Sequence, residues 1–308
     1  MGFEYTVPAH LLPSEGTDFA REYDVSCRVP DFAGSLADWG RRAALARTLH
    51  PGLCDLRYGQ SAAETLDLFL PPLRDGTPAP LLVFIHGGFW RRLHKDDFSW
   101  IATPYLTHGV AVAVVNYGLA PATTLEDITA QTRRSIAWLY RHAPEYGVDA
   151  TRIVVSGHSA GGQLTCMALA TDWPAIGADL PRDLLAAGIA LSPVVDLKPL
   201  ASVPALHADL DFNPARIRDQ SPVRLRPASD APLIGAAGGR ESAEFRRQLA
   251  LLANAWQGVW KGEVAMPAAD HLTLCDAFAD EGSALFSAAL ELIRSVGNGS
   301  RLQQMLSP

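Results

Sequence analysis

The segment Gly157-His158-Ser159-Ala160-Gly161-Gly162 has the pattern G-x-S-x-G. A serine flanked by small residues can sit on a sharp strand-to-helix turn that exposes its hydroxyl for nucleophilic attack. The bare pattern arises by chance in about one chain in ten of this length. Its context makes the case: Ile153-Val154-Val155 reads as a strand and Gln163 onward as a helix. Ser159 is therefore the candidate nucleophile. His86-Gly87-Gly88-Phe89-Trp90 follows the apolar run Leu81–Ile85. A glycine pair there can aim backbone N–H groups at a developing oxyanion, and Gly87, Gly88 and Ala160 are the candidate oxyanion hole. His86 is read as an anchor of that loop.

A serine nucleophile needs a base, and the base needs a carboxylate to orient it. Of nine histidines, His271 lies after the last strand run and before the final helix, where chain order Ser, acid, His requires it. His207 is the rival. His10, His50, His94, His108 and His142 read as surface or cap residues, and strand alternation turns His158 away from Ser159. The loop Gly238-Gly239-Arg240-Glu241 supplies the acid, Glu241, with Glu244 as the alternative. Glu244 also suits a capping box with Ser242 or the helix dipole. Asp270 adjoins His271 in sequence and is poorly placed to reach the same ring.

These residues need a scaffold. Strand-like runs are predicted at Leu53–Tyr58, Thr65–Leu70, Leu81–Ile85, Val110–Tyr117, Arg152–Ser156, Ala187–Leu191, Pro232–Ala236 and Val259–Ala265. Several are continuously apolar, as in strands buried on both faces of a mainly parallel sheet. The first two read as an antiparallel edge. Helices are predicted at Thr124–Arg141, Gly162–Thr171, Ser242–Trp256 and Leu274–Ile293. This alternation implies an α/β, eight-stranded, mostly parallel sheet between helix layers. Residues 1–50, with a helix at Ser35–Leu49, and the insertion 196–230 stand outside the alternation. Both read as cap or lid over a single domain spanning 1–308, and a plain surface connection is an equal reading of the second.

With 48% apolar and 19% charged residues and a net charge of −7, the composition is that of a globular enzyme and disfavours nucleic acid as partner. The longest apolar runs are strand-length, too short to cross a bilayer, and no secretory pattern opens the chain. Met1 to Thr6 matches a loose myristoylation pattern with no second membrane signal beside it. Cys27, Cys54, Cys166 and Cys275 have neither metal-ligand spacing nor a CxxC; reduced thiols in a cytoplasmic enzyme are expected. No metal or cofactor is implied, and a homodimer is left open.

Together the chain resembles kynurenine formamidase (arylformamidase) and its carboxylesterase relatives in the α/β-hydrolase superfamily. The resemblance rests on His86-Gly87-Gly88-Phe89-Trp90 (HGGxW), Asn116-Tyr117-Gly118-Leu119-Ala120-Pro121, the Ser159 elbow and Gly238-Gly239-Arg240-Glu241-Ser242-Ala243-Glu244-Phe245. It runs from about residue 23 to the last helix. It implies the α/β-hydrolase fold and hydrolysis of a small-molecule substrate, N-formyl-L-kynurenine, to L-kynurenine and formate. Two positions depart from the family: Glu241 stands where Asp is frequent, and Leu272 follows the histidine where Phe is common. Phe89, Trp90 and Tyr117 are candidate aromatic pocket walls, with core packing the competing role for Trp90 and Tyr117. Arg91 and Arg92 are placed either to meet a substrate carboxylate or to be solvated. A short-acyl carboxylesterase and a catalytically inert hydrolase-fold binding protein are the competing functions; a complete set of three candidate residues argues against the latter.

Overall fold

The structure, a computed structural model, describes residues 5–72 and 76–296. Met1–Glu4, which carry most of the myristoylation-like pattern, lie outside the described residues. The predicted strands form as β1 (Leu53–Arg57), β2 (Thr65–Phe69), β3 (Ala79–Ile85), β4 (Ala111–Val115), β5 (Val148–His158), β6 (Leu185–Leu191), β7 (Leu233–Ala236) and β8 (Trp260–Glu263). They make one eight-stranded sheet in the order β1-β2-β4-β3-β5-β6-β7-β8. β2 pairs antiparallel with both β1 and β4, and every other pairing is parallel.

β3, β4 and β2 are buried along their whole length. Helices covering both faces of the sheet account for the lack of polar alternation in β3 and β4. The expected two-stranded edge is thus narrower: only β1 is a true edge, mostly exposed, whereas β2 is closed on both sides. Buried Asp67 of β2 is tolerated because Lys95 Nζ lies 2.8 Å from its Oδ1.

Local signals place the helices. Leu125–His142 starts at Thr124, whose side chain accepts from Asp127 N at 3.2 Å, with Glu126 and Asp127 in the first turn and Arg141 and His142 in the last. Each suits the helix dipole. Phe32–Leu49 starts at Asp31, which accepts from Gly34 N, and buries Trp39, Ala43 and Ala46. The single helix expected over 274–293 is instead two, Thr273–Phe278 and Ala284–Ser295. The Asp280 side chain accepts from Gly282 N, and Ser283 then caps a new helix through Leu285 N and Phe286 N. Local side-chain bonds of this kind compete with helix continuation.

The insertion 196–230 is built from short helices, among them Pro204–Leu210 and Pro214–Gln220. It packs against Leu125–His142 and the central helix Ala160–Leu169: Thr129 Oγ1 donates to Gln220 Oε1 at 2.8 Å, and Gln163 Nε2 to Gln220 O at 2.9 Å. Four of the parallel strands deliver the chemistry, two at the centre of the sheet and two at the end opposite β1. The loops after β3, β5, β7 and β8 emerge at their carboxyl ends, where open α/β sheets place their sites.

Candidate active site

The elbow after β5 has the geometry its residue types suggest. Ser159 adopts φ 57°, ψ −116°, a strained conformation for a residue with a Cβ. Ser159 N donates to Leu191 O at 2.8 Å, tying the turn to β6. Gly161 permits the close crossing, since a Cβ there would come 2.0 Å from Ile85 O of β3. The loop after β3 crosses the elbow equally closely: a Cβ on Gly87 would lie 2.9 Å from His158 O and 3.1 Å from Ser159 Cβ. Gly88 (φ 105°), Phe89 (φ 51°) and Trp90 (φ 58°) run consecutively left-handed, so the loop folds back on itself. Gly87, Gly88 and Ala160 are thereby gathered around Ser159.

His86 braces this loop from below. It is fully buried, its ring stacks on Tyr117 at 4.2 Å, and its Nδ1 lies 2.8 Å from Gly87 O. Tyr117 Oη donates to His86 O at 2.7 Å. Burial pushes the His86 imidazole down to about 4, so it stays neutral.

Glu241 and His271 meet across 30 residues of chain. His271 Nδ1 is 2.7 Å from Glu241 Oε2. A carboxylate can only accept, so Nδ1 carries the proton and Nε2 is left as the basic nitrogen. Glu241 Oε1 accepts from Gly238 N at 2.6 Å and from Ser192 Oγ. The His271 ring lies between those of His158 and Phe245, each with centroids 4.4 Å away. Ser159 and His271 face one narrow pocket of about 40 Å³; among the described residues no hydrogen bond joins them. Such contacts commonly tighten only with substrate bound.

Glu244, the alternative acid, is occupied elsewhere. It accepts from Tyr23 Oη at 2.7 Å and pairs with Arg247 at 2.7 Å. The expected capping box does not form, because Ser242 caps the helix alone through Phe245 N. Asp270 caps its own turn through Leu272 N and Thr273 N. His207 is exposed on the insertion.

The pocket wall differs from the sequence reading. Phe89 lines it, together with Gly88 and Leu93. Trp90 and Tyr117 do not: Trp90 is fully buried with Nε1 on Gln163 Oε1 at 3.1 Å, and Tyr117 sits behind the His86 loop. Both rings satisfy their polar atoms inside the core, which fixes them there. His158, expected to point away, lines the pocket, because the left-handed elbow ends strand alternation. Burial holds its imidazole well below the ordinary value. Val25, Phe32, Leu36 and Trp39 of the N-terminal segment close the pocket, with Leu272 opposite. No residue of 196–230 lines it, so among the described residues the cover is N-terminal.

Sequence reasoning missed Ser192, and it did not name the residues of the expected N-terminal cap that wall the pocket. Ser192 follows β6 with a left-handed φ of 42°; no motif marks it. The helix at Ser35–Leu49 was legible, whereas its start at the Asp31 cap and its docking onto the pocket were not.

Comparisons agree with this geometry. A family model described as BD-FAE matches residues 66–197. Kynurenine formamidase of Danio rerio is 28% identical over 257 residues, covering 80% of this chain and 84% of its own. That of Salmo salar is 29% identical over 66% of this chain and 68% of its own. Over a shorter stretch, 38% of this chain and 28% of its own, a probable carboxylic ester hydrolase of Mycobacterium tuberculosis is 35% identical. A crystal structure of a candidate thioesterase from a Silicibacter species superposes with TM-score 0.78 at 27% identity, covering 91% of this chain and all of that one. Esterase B of Lactobacillus rhamnosis, at 20% identity and TM-score 0.66 over 89% and 97% of the two chains, shares the fold. Sheet order, strained elbow and relatives together make this chain an α/β-hydrolase-fold enzyme, a hydrolase similar in sequence to the kynurenine formamidases.

Proposed function

We propose that this chain removes a small acyl group from an aryl amide, with N-formyl-L-kynurenine yielding L-kynurenine and formate. The observation that carries the reading is the buried His271–Glu241 pair beside a pocket of about 40 Å³ that also holds Ser159. The pocket is narrow, which favours a small acyl group beside Ser159. The relatives named as kynurenine formamidases support the same substrate.

In this mechanism Ser159 Oγ attacks the formyl carbon while His271 Nε2 takes the hydroxyl proton. Glu241 stabilises the resulting imidazolium. The carbonyl oxygen becomes an oxyanion held by the backbone N–H groups of Gly87, Gly88 and Ala160. His271 returns the proton to the departing aryl nitrogen, and the C–N bond breaks. An aryl nitrogen shares its lone pair with the ring, which makes it a better leaving group than an alkyl amine. Water, deprotonated by His271, then attacks the formyl ester of Ser159 and frees formate.

A short-acyl carboxylesterase is the second reading. It is favoured by Leu272, smaller than the family's Phe, on the pocket wall, and by the similar ester hydrolase. Comparing kcat/KM for N-formyl-L-kynurenine and p-nitrophenyl acetate separates the two. Formyl release is expected to dominate; rapid ester turnover without it would sink the formamidase reading. Ser159→Ala is expected to abolish both activities, and retained turnover would mean another nucleophile. The free thiols support a reducing, cytoplasmic setting. Residues 25–39 serve as the cap of a single hydrolase domain.

A further inference from the structure

The pocket wall carries a charge that the hydrolytic chemistry does not use. Among the described residues, Arg92 is the one pocket-lining residue with a fixed charge, and no carboxylate lines the pocket with it. His158, also on the wall, is kept neutral by burial. Its neighbour Arg91 is committed elsewhere, donating Nη1 to Ala205 O at 2.7 Å and pairing with Asp209. Arg92 is exposed and, among the described residues, forms no ion pair or hydrogen bond. Its guanidinium lies 6.0 Å from the centroid of Phe32, a ring of the same wall.

The backbone of Arg92 is held against the candidate oxyanion loop. Gly88, at φ 105°, brings the chain so close that a Cβ there would lie 2.1 Å from Arg92 O. The backbone of Arg92 is thus anchored beside the reacting centre and its side chain lines the same pocket as Ser159 and His271, in a chain whose net charge is −7. Nothing acidic on the wall neutralises it, and the guanidinium keeps its donors free for a planar anion.

We propose that Arg92 is a specificity-determining residue that binds a carboxylate on the leaving group, so that the substrates are anion-bearing aryl compounds. This deepens the aryl-amide reading and rests on it for the identity of the cleaved bond. An aromatic leaving group would lie along Phe32 and Phe89 with its carboxylate turned to Arg92. The arrangement discriminates against neutral aryl substrates of the same shape, because they would displace water from the cation without replacing its hydrogen bonds.

The test uses two matched substrate pairs: 3-(2-formamidophenyl)propanoate with its neutral carboxamide, and 3-(2-acetoxyphenyl)propanoate with its carboxamide. Wild-type enzyme is expected to prefer the anionic member of each cleaved pair by about tenfold or more in kcat/KM. Arg92→Gln should erase that preference chiefly through KM, and Arg92→Lys should restore part of it. Raising the salt concentration should weaken it in the wild type and in Arg92→Lys, with no effect in Arg92→Gln. Equal turnover of both members by the wild type, or an equal loss on both in Arg92→Gln, would overturn the proposal. The bond is read out separately. If only the esters are cleaved but the charge preference persists, the formamidase reading fails and Arg92 stands. If formamides are cleaved without charge preference, Arg92 fails and the formamidase reading stands.

Discussion

At the scale of single residues, the site depends on how few alternatives Glu241 has. Its two oxygens are taken up by Gly238 N, Ser192 Oγ and His271 Nδ1, and it is almost fully buried. The carboxylate can therefore hold only one tautomer of the imidazole. Glu241→Gln keeps the shape but presents an amide that no longer enforces that tautomer. It is expected to lower kcat by about three to four orders of magnitude, measured with a chromogenic short-acyl ester. A second test concerns His86. Its folded value of about 4 lies below the ordinary 6.5, so between those values the unfolded chain binds the extra proton. Its contribution to stability is therefore full above about pH 6.5 and lost as pH falls toward 4, on the order of 3 kcal/mol. Urea unfolding from pH 7 to 4.5 should show this slope, and His86→Gln should flatten it. A slope unchanged in the variant would refute the assignment.

Among the elements, the helix Phe32–Leu49 couples stability to selectivity. Trp39 is buried, donates Nε1 to Asp276 Oδ1 at 2.9 Å, and packs on Phe98 and Trp100 with centroids 5.3 and 5.8 Å away. It also lines the pocket. Trp39→Ala is expected to cost about 3–5 kcal/mol in urea unfolding. It should also raise the turnover of p-nitrophenyl butyrate relative to acetate, because the acyl space widens. A loss of stability with an unchanged butyrate-to-acetate ratio would show that Trp39 supports the fold without bounding the pocket. The same helix shows why sequence reading stops at the element. Its Asp31 cap and buried stripe are local, but the partner it docks against lies more than 200 residues away, at Asp276. The split of the last predicted helix was likewise present locally, in the Asp280 turn and the Ser283 cap.

For the whole molecule, burial sorts the four cysteines. Cys27 and Cys54 are exposed, and Cys166 and Cys275 are buried. Two thiols per chain are expected to react with a disulfide reagent in the native protein, and four after denaturation. Reaction of the native pair should be slow at neutral pH: a hydrogen bond to Asp24 holds the Cys27 thiol up, and partial burial raises that of Cys54. Native reaction of all four would contradict the packing of the central helix Ala160–Leu169 and of Thr273–Phe278.

What the sequence determined by itself is the frame and the order along it. Continuous apolar runs marked strands buried on both faces, and the glycines around Ser159 and after His86 marked sharp turns, so the eight strands and the position of the loop after β3 were legible. The positions of Ser159, Glu241 and His271 followed from their places after particular strands. The tertiary structure decided what surrounds them. It set Glu241 against His271 and occupied Glu244 with Tyr23 and Arg247. It put Trp90 and Tyr117 in the core and Phe32, Leu36 and Trp39 on the pocket, and it paired Arg91 with Asp209 while Arg92 has no ion pair among the described residues. Periodicity and turn chemistry are set by neighbours a few residues apart. A pocket wall is set by which distant surfaces meet, and one-dimensional patterns do not encode that meeting locally.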